Sequence, residues 1–431
     1  MIIALMMLVL FGFVILGVPV FGAMGLSTLV HWAGEGREAI LQIFNQRIFA
    51  GLTGFTFLAV PMFLLAGEIM SRGGITDRLI DLAKALVGHV TGGLAQVNVL
   101  SSVFFASISG SGQADVAAMG SFFIPAMKKE GYPPGLAGAI TAVSATLSPI
   151  IPPGVIMIVY GATFGVPVAS MFAAGLSIGI VLAAAYLGMT YFLCRKLGIP
   201  KYDRATLSQI WNAFRRALLP LGLPIIILGG ILGGIVTATE ASAIAVAYAL
   251  FLTVFVYKTI RVKEFFEVLR DSSITSAAIL ILAGVAISFS YVVARRNIPA
   301  IVARALLSVT DVPFLIVLMV LVALFIAGMF IGRTANILMF GPILVPVFIE
   351  LGFSPVQTGH ILIMVLGIGH MTPPVGGTLL TSALVGKVDL LDITRYVWPF
   401  IILEFMVTLL VVIAPPLTET LPRLLNLGGL G

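Results

Sequence analysis

A stretch of fifty residues recurs in this chain, displaced by 221 positions without a gap, and most of what recurs is glycine and proline. Gly120 falls on Gly341, Pro125 on Pro346, Gly131 on Gly352, Pro134 on Pro355, Gly138 on Gly359, and Pro152-Pro153 on Pro373-Pro374. Phe104 with Phe325, Ala106 with Ala327, Ala114 with Ala335 and Ile140 with Ile361 complete the match from Phe104 to Pro153. Glycine and proline set the path of the backbone rather than fill volume, whereas chance matches in an apolar chain would favour Leu or Val. With small gaps the likeness extends upstream: Leu65-Ala66-Gly67 resembles Leu282-Ala283-Gly284, and Ala83-Lys84-Ala85-Leu86 resembles Ala303-Arg304-Ala305-Leu306. The chain is therefore built on two repeats.

The repeats lie in a sequence that is 60% hydrophobic and only 10% charged, against about 25% charged in ordinary soluble domains. So few charges cannot coat a globule in water, which excludes a soluble enzyme, a disordered chain and a fibrous protein. A helix needs about 20 apolar residues to cross the hydrocarbon. Residues 54–70, 134–161, 166–194, 218–237, 239–258, 273–294, 355–386 and 396–415 supply such runs. Residues 1–33 read either as one long tilted span or as two short ones that break near Gly17-Val18-Pro19, the two spans 218–237 and 239–258 at the matching place in the second repeat favouring two; they are expected to be retained in the membrane rather than cleaved as a signal peptide. The net charge of +6 reads as cytoplasmic loop charge, not as a nucleic-acid surface. Cys194 is the single cysteine, which excludes an internal disulfide and a cysteine metal cluster.

Two pairs of apolar runs fail the length test. Residues 94–108 and 113–127 flank Ser109-Gly110-Ser111-Gly112, and 312–329 and 335–349 flank Gly332-Arg333-Thr334. Short helices either side of a small polar turn predict a re-entrant hairpin, because backbone that leaves the helix at membrane depth must be buried or line a cavity. Five spans separate the two hairpins, and five is odd, so they enter from opposite faces. This predicts an all-α polytopic membrane protein with an inverted-topology repeat, about ten transmembrane helices and two re-entrant hairpins. The first repeat is residues 1–215: scaffold helices 1–72, an interfacial arm 76–90, a hairpin 94–130, a broken helix 134–161 and a helix 166–194. The second is 216–431: scaffold helices 218–294, an arm 297–310, a hairpin 312–350, a broken helix 355–386 and a helix 396–415. Segments 35–47, 76–88 and 262–271 are expected as helices lying at the interface, and 195–216 and 259–272 as the longest polar linkers. Seventeen basic residues, from Arg72 to Arg395, fall on one face, and six (Arg37, Arg47, Arg295, Arg296, Arg304 and Arg423) on the other. The richer face is predicted to be cytoplasmic. The first hairpin then opens from the cytoplasm, the second from outside, and the N-terminus lies outside.

The chemistry is expected in the turns. Ser148-Pro149-Ile150-Ile151-Pro152-Pro153-Gly154 holds three prolines in five positions and cannot stay helical; Gly369-His370-Met371-Thr372-Pro373-Pro374-Val375-Gly376 plays the same part in the second repeat. A hairpin tip beside an unwound helix offers free carbonyls and hydroxyls to a small hard cation, and helix N-termini to an anion. Ser109, Ser111 and Ser148 would surround one cation; Gly332, Thr334, Gly369 and Thr372 a second. With Asp115 the one carboxylate at the first tip, a monovalent ion such as Na⁺ suits the set better than Ca²⁺. Asp115 and Asn336 occupy matching positions, where an acid caps a helix, binds a cation or carries a proton. Arg333 either anchors a substrate carboxylate bidentately or forms a salt bridge at the tip. Glu68, Glu240 and Glu404 lie in or beside apolar spans and need partners; Glu240 is placed to cap a helix start. His31, His89, His360 and His370 are scattered, with no metal-protease, cysteine-cluster or nucleotide-binding motif.

These residues carry a family resemblance over essentially the whole chain. Ile108-Ser109-Gly110-Ser111-Gly112-Gln113-Ala114-Asp115, Ile124-Pro125-Ala126-Met127, Gly131-Tyr132 and Ile150-Ile151-Pro152-Pro153-Gly154 resemble the large membrane subunit of tripartite ATP-independent periplasmic (TRAP) transporters. So do Ala66-Gly67-Glu68-Ile69-Met70, Gly92-Gly93-Leu94-Ala95 and Thr239-Glu240-Ala241. The resemblance implies an elevator-type fold in which hairpins and broken helices move. It implies sodium-driven uptake of an organic acid, such as sialic acid, a C4-dicarboxylate or a sugar acid, across the bacterial inner (cytoplasmic) membrane. It implies a periplasmic substrate-binding protein and a small four-helix membrane subunit as partners, with lipid around the chain, no nucleic acid, no enzymatic activity, and Na⁺ as coupling ion in place of any cofactor. Carried onto this sequence, the sodium ligands are Ser109, Ser111, Ser148, Ile151, Gly332, Thr334, Gly369 and Thr372. The substrate contacts are Ser111, Asp115, Pro153, Arg333, Asn336 and Pro374. Gly112 and Gln113 depart from tips rich in Ala and Ser, which bears on the substrate contacts rather than the fold. The competing expectation is a stand-alone proton- or sodium-coupled carboxylate symporter needing no binding protein, with Asp115 titrating. An intramembrane enzyme would need a catalytic dyad, and no Lys or His is placed to face Ser109.

Overall fold

In the computed structural model, described for residues 2–33, 39–199 and 201–429, the chain is helical throughout, with no strand among the described residues. Arg37 and the start of the interfacial helix expected from residue 35 lie outside the described residues. Residues 2–33 form two helices, α1 (Ile2–Ile15) and α2 (Val20–Ala33), which pack on each other. They part at Gly17, whose φ of 83° no β-branched side chain would tolerate. α3 (Ala39–Leu52) and α4 (Ala59–Arg72) follow, then the amphipathic arm α5 (Thr76–Val87).

The first hairpin is α6 (Gly93–Ser109) and α7 (Gly112–Lys129). The interrupted helix is α8 (Pro134–Ser144) and α9 (Val155–Phe164), and the long α10 (Val168–Lys196) closes the set. α11 (Leu207–Leu232) begins inside the expected linker because Thr206 and Gln209 cap each other, Gln209 N–H donating to Thr206 Oγ1 at 3.3 Å and Thr206 N–H to Gln209 Oε1 at 2.8 Å. α12 (Ala238–Leu250) starts on a second such box, in which Thr237 N–H donates to Glu240 Oε2 at 2.8 Å, so Glu240 does cap a helix start.

α13 (Val262–Arg295) is one 34-residue helix, about 51 Å long. The separate interfacial helix expected at 262–271 does not form. The apolar run stops at Ser272-Ser273, but serine does not break a helix, and no glycine or proline occurs from Val262 to Ala283. Polarity changes along a continuous element. Then come α14 (Ile298–Leu307), the second hairpin α15 (Pro313–Phe330) and α16 (Arg333–Glu350), the interrupted α17 (Pro355–His370) and α18 (Gly377–Gly386), and α19 (Leu390–Ile413). A short α20 (Pro416–Leu424), not expected from the sequence, packs on α10.

Among the described residues, eight helical runs are long and apolar enough to cross a membrane. Six coincide with expected spans; the other two are α15 and α16. Each has 18 residues, about 27 Å. α16 reaches that length by taking in Arg333 and Thr334, which a count of apolar residues leaves out. The order of arm, hairpin, interrupted helix and long helix occurs twice, as α5 to α10 and as α14 to α19. Packing gathers the helices into two groups, which also touch each other, α6 on α4 and α16 on α13. α2, α3 and α4 pack on α13, with α4 and α11 on α12. The hairpins and interrupted helices pack on one another, α7 on α18 and α8 on α19 across the repeats and α15 on α17 within the second. Tyr160 O–H donates to Pro355 O at 2.8 Å, and Ser382 O–H to Gly138 O at 2.8 Å, joining the two repeats inside this second group.

Candidate functional site

The polar turns are tight. Only Gly110 and Ser111 separate α6 from α7, and only Ile331 and Gly332 separate α15 from α16. Gly110 takes φ 62°, and a Cβ there would lie 2.6 Å from the Pro153 carbonyl oxygen, so glycine is required both for the turn and for the approach of the unwound segment. Ser111 N–H donates to Ser109 Oγ at 3.2 Å, and Ser109 O–H donates to Asp115. Asp115 Oδ2 and the Ser148 hydroxyl are buried without hydrogen-bond partners. Buried polar atoms are rarely left so, and here they mark the zone between the first tip and the first unwound segment as one that can accept a further group.

The second tip is built differently. Asn336, at the position matching Asp115, donates through Nδ2 to Ile331 O at 2.7 Å, and its Oδ1 is unpartnered. Gly369 sits against α15 so closely that a Cβ would lie 2.6 Å from Phe325 O and 2.7 Å from Gly328 Cα. Gly376 N–H donates to Met329 O at 3.2 Å, fastening the second unwound segment to the end of α15. The Thr372 hydroxyl donates to Ile368 O at 2.5 Å and is fully buried.

The two tips meet. A cavity of about 330 Å³ is walled by Gly110, Ser111, Gly112 and Gln113 from the first tip and by Gly332, Arg333, Thr334 and Ala335 from the second. Pro149 enters from the first unwound segment, His370 from the last residue of α17, Thr378 from α18, and Thr275, Ala278, Ile279 and Leu282 from α13. Gln113 and His370, 257 residues apart, touch across it, Nε2 to Nε2, at 3.4 Å. Of the expected residues, Ser111, Gly332, Arg333 and Thr334 line this cavity. Ser109, Asp115, Ser148, Ile151 and Pro153 lie buried beneath the first tip, and Asn336, Gly369 and Thr372 beneath the second. Pro374 is exposed and stands off the cavity wall.

Arg333 has only 7% of its surface exposed, and none of its three guanidinium nitrogens has a hydrogen-bond partner. Behind it lies Glu404 of α19, fully buried. Both reach Gly367 of α17: a Cβ there would lie 3.2 Å from Glu404 Oε1 and 3.5 Å from Arg333 Cζ. Glu404 Oε2 accepts hydrogen bonds from Tyr186 of α10 and from Thr146 Oγ1, the latter at 3.3 Å, and Oε1 is unpartnered. Glu404 thus finds the partners its burial demands. Glu68 finds Arg72 at 2.7 Å, and Arg72 also holds Asp271 at 2.6 Å. Sequence reasoning missed Gln113 as a wall residue, Thr275 and Thr378 altogether, and the Tyr186–Thr146–Glu404 contact. Gln113 carried a signal, since it stands in the first tip itself. No spacing announces a contact between Tyr186 and Glu404, 218 positions apart.

Residues 7–417 match the family model described as the tripartite ATP-independent periplasmic transporter, DctM component. The sialic acid TRAP transporter large permease protein SiaM of Vibrio cholerae is 37% identical over 380 residues, 88% of this chain and 89% of that protein. The C4-dicarboxylate TRAP transporter large permease protein DctM of Rhodobacter capsulatus is 33% identical over 438 residues, 97% of this chain and 99% of that protein. Among solved structures, the YdaH transporter of Alcanivorax borkumensis has a similar fold, with a TM-score of 0.65 at 14% identity, covering 88% of this chain and 89% of that one.

Proposed function

The chain belongs to the DctM component family of tripartite ATP-independent periplasmic transporters, and on that premise we propose that it imports an organic acid across the bacterial inner membrane on a sodium gradient. It acts as the large permease subunit, receives the acid from a periplasmic binding protein, and works with a small membrane subunit. The observation that carries the reading is the meeting of both hairpin tips with the first unwound segment and the end of α17, from opposite halves of the chain, at one cavity.

Each tip zone holds one sodium ion. Ser109, Ser111, Ser148 and Ile151 supply oxygens to the first; Gly332, Thr334, Gly369 and Thr372 supply them to the second. The unpartnered Ser148 hydroxyl and Asp115 oxygen beneath the first tip support this, since a cation satisfies both. The acid sits between the tips, its carboxylate on Arg333 and its other face against Ser111. Asp115, Pro153 and Asn336 shape the site from behind the tips. The two repeats are inverted, and the hairpins with the interrupted helices move as one body against the frame of α2, α3, α4, α11, α12 and α13. The gathering of the helices into these two groups supports an elevator motion, with α5 and α14 as its arms. Bound sodium closes the tips over the acid, which couples ion and substrate because each favours the same arrangement.

The test is uptake by the chain reconstituted with its two partners. Uptake is expected to need an inward Na⁺ gradient, and Ser109→Ala and Thr372→Ala are expected to raise the Na⁺ concentration at half-maximal rate about tenfold, as for the loss of one charge-assisted ligand. Uptake unchanged in Na⁺-free buffer with the proton gradient collapsed would refute the coupling.

A further inference from the structure

The first helices of the two hairpins differ in kind, although they hold matching places in the repeats. α15 carries no polar side chain along its whole length; α6 carries Gln96, Asn98, Ser101, Ser102, Ser107 and Ser109. Displaced by 221 positions, Asn98 falls on Met319, Ser101 on Val322 and Ser102 on Ala323. In the interrupted helices Thr141 falls on Leu362 and Ser144 on Val365. In the first repeat these side chains meet. Asn98 Nδ2 donates to Thr141 Oγ1 at 2.8 Å, and Ser102 O–H donates to Ser144 Oγ at 3.0 Å. Ser144 O–H also lies 3.2 Å from Thr141 O. The two rungs advance together, so α6 and α8 run side by side in one direction, from Gly93 and Pro134 toward Ser109 and Ser148. A polar column therefore descends from the first tip, about 17 Å long from Ser109 to Asn98. Its wall shares none of these four rung residues with the cavity between the tips.

Packing alone does not call for this column, because α15 packs on α17 with apolar residues at every one of the matching places. Nor is the column satisfied within itself. Asn98 Oδ1 and the Ser101 hydroxyl are fully buried without hydrogen-bond partners, as are Asp115 Oδ2 and the Ser148 hydroxyl at its inner end. Each such atom costs about 1–3 kcal/mol unless a further group satisfies it. We propose that the column is the path by which the sodium ion at the first tip passes to the cytoplasm, with Asn98 Oδ1 as its outermost ligand. Oxygens of Ser144, Ser102, Thr141 and Asn98 take the place of the ion's water in turn, at steps of about one helical turn, 5 Å. An apolar seam like that of the second repeat would strip the ion without compensation. In this structure the rungs are closed on each other, with Asn98, Ser102, Thr141 and Ser144 at most 1% exposed. A hydroxyl both donates and accepts, so turning Ser102 and Ser144 about their Cα–Cβ bonds frees both oxygens for a cation. The inference rests on the sodium reading above and on the first hairpin entering from the cytoplasm; it gives the ion an exit separate from that of the acid.

The experiment uses the full chain in inside-out and right-side-out membrane vesicles, with Cys194→Ala as background. Single cysteines are placed on the column, Ser102→Cys and Ser144→Cys, and at the matching places of the second repeat, Ala323→Cys and Val365→Cys. The probe is the silver ion in chloride-free nitrate buffer, a monovalent cation that reacts with thiols. Its reaction is read as the loss of thiol available to a maleimide dye after denaturation. Both column cysteines are expected to react at least about tenfold faster than the two controls, from the cytoplasmic face alone, and more slowly in sodium than in potassium. Column cysteines as inert as the controls would overturn the proposal and leave the rungs as bonds that join two helices. Equal reaction from both faces, or no slowing by sodium, would overturn it as well, since the column would then be a general breach and not an ion path. The thermal midpoint of the unaltered chain keeps the two readings apart. A rise in sodium over potassium with inert column cysteines leaves sodium at the first tip standing without this exit. No rise and no slowing by sodium would remove both.

Discussion

Replacing Glu404 by glutamine should destabilise the protein by about 3 kcal/mol, and adding Arg333→Met should restore most of the loss. Arg333 and Glu404 are both buried, with 7% and 0% exposure, and neither the guanidinium nitrogens nor Glu404 Oε1 has a direct hydrogen-bond partner. They face each other across Gly367 rather than in contact. Even at about 4 Å, with an effective dielectric of about 20, their attraction would be bounded near 4 kcal/mol. Removing one partner of a buried pair costs about 3–5 kcal/mol, because the other charge stays behind without compensation. Glutamine keeps the shape of Glu404 and can still accept from Tyr186 and Thr146, so the loss is mainly the charge. Arg333→Met removes the stranded cation and leaves an apolar stem. The assay is a double-mutant cycle on unfolding in detergent, with Glu404→Gln, Arg333→Met and the pair. A coupling of about 2–3 kcal/mol is expected. Single losses that simply add, to within about 0.5 kcal/mol, would show that Glu404 does not compensate Arg333 and would refute this picture of the charged interior.

Two glycine substitutions probe the closeness of tips and unwound segments. Gly369→Ala forces a methyl group to 2.6 Å from Phe325 O and should cost about 1–3 kcal/mol, read as a lowered thermal midpoint; no loss would mean that α15 and α17 separate freely. Gly110→Ala combines φ 62° with a Cβ 2.6 Å from Pro153 O and should lower uptake more than stability, since it distorts the tip alone; uptake at the unaltered rate would contradict that. Tyr160→Phe removes the hydroxyl that donates to Pro355 O at 2.8 Å and should cost about 1 kcal/mol, with uptake retained; a loss under about 0.3 kcal/mol would show that this bond between the repeats contributes nothing net.

What the sequence made legible was the backbone. Gly110, Pro149 and the Pro152-Pro153 and Pro373-Pro374 pairs state where helices must stop, because each acts through its own dihedral freedom or missing donor. The hairpins, the interrupted helices and both arms follow from them. The errors fell where polarity was taken for structure. α13 runs through Ser272-Ser273, α11 begins at Leu207 in a polar stretch, and α16 starts at Arg333, since arginine is a good helix former. The site was legible as two tips and two unwound segments, but not as a cavity. Gln113 beside His370 and Glu404 beside Tyr186 are contacts of tertiary packing, and single residues this far apart carry no periodicity that would pair them. The difference between Asp115 and Asn336 was visible in the repeat.

Everything proposed for transport depends on the two halves of the chain, the first hairpin tip and the end of α17 among them, facing each other across one cavity. Cys194 is the only cysteine and is buried, so Cys194→Ala gives a clean background for Gln113→Cys with His370→Cys. A short bifunctional thiol reagent should join the pair in membranes and block uptake, because the two side chains touch at 3.4 Å, and Na⁺ with the transported acid should slow the reaction. Free labelling of each cysteine singly without any cross-link would contradict a shared cavity.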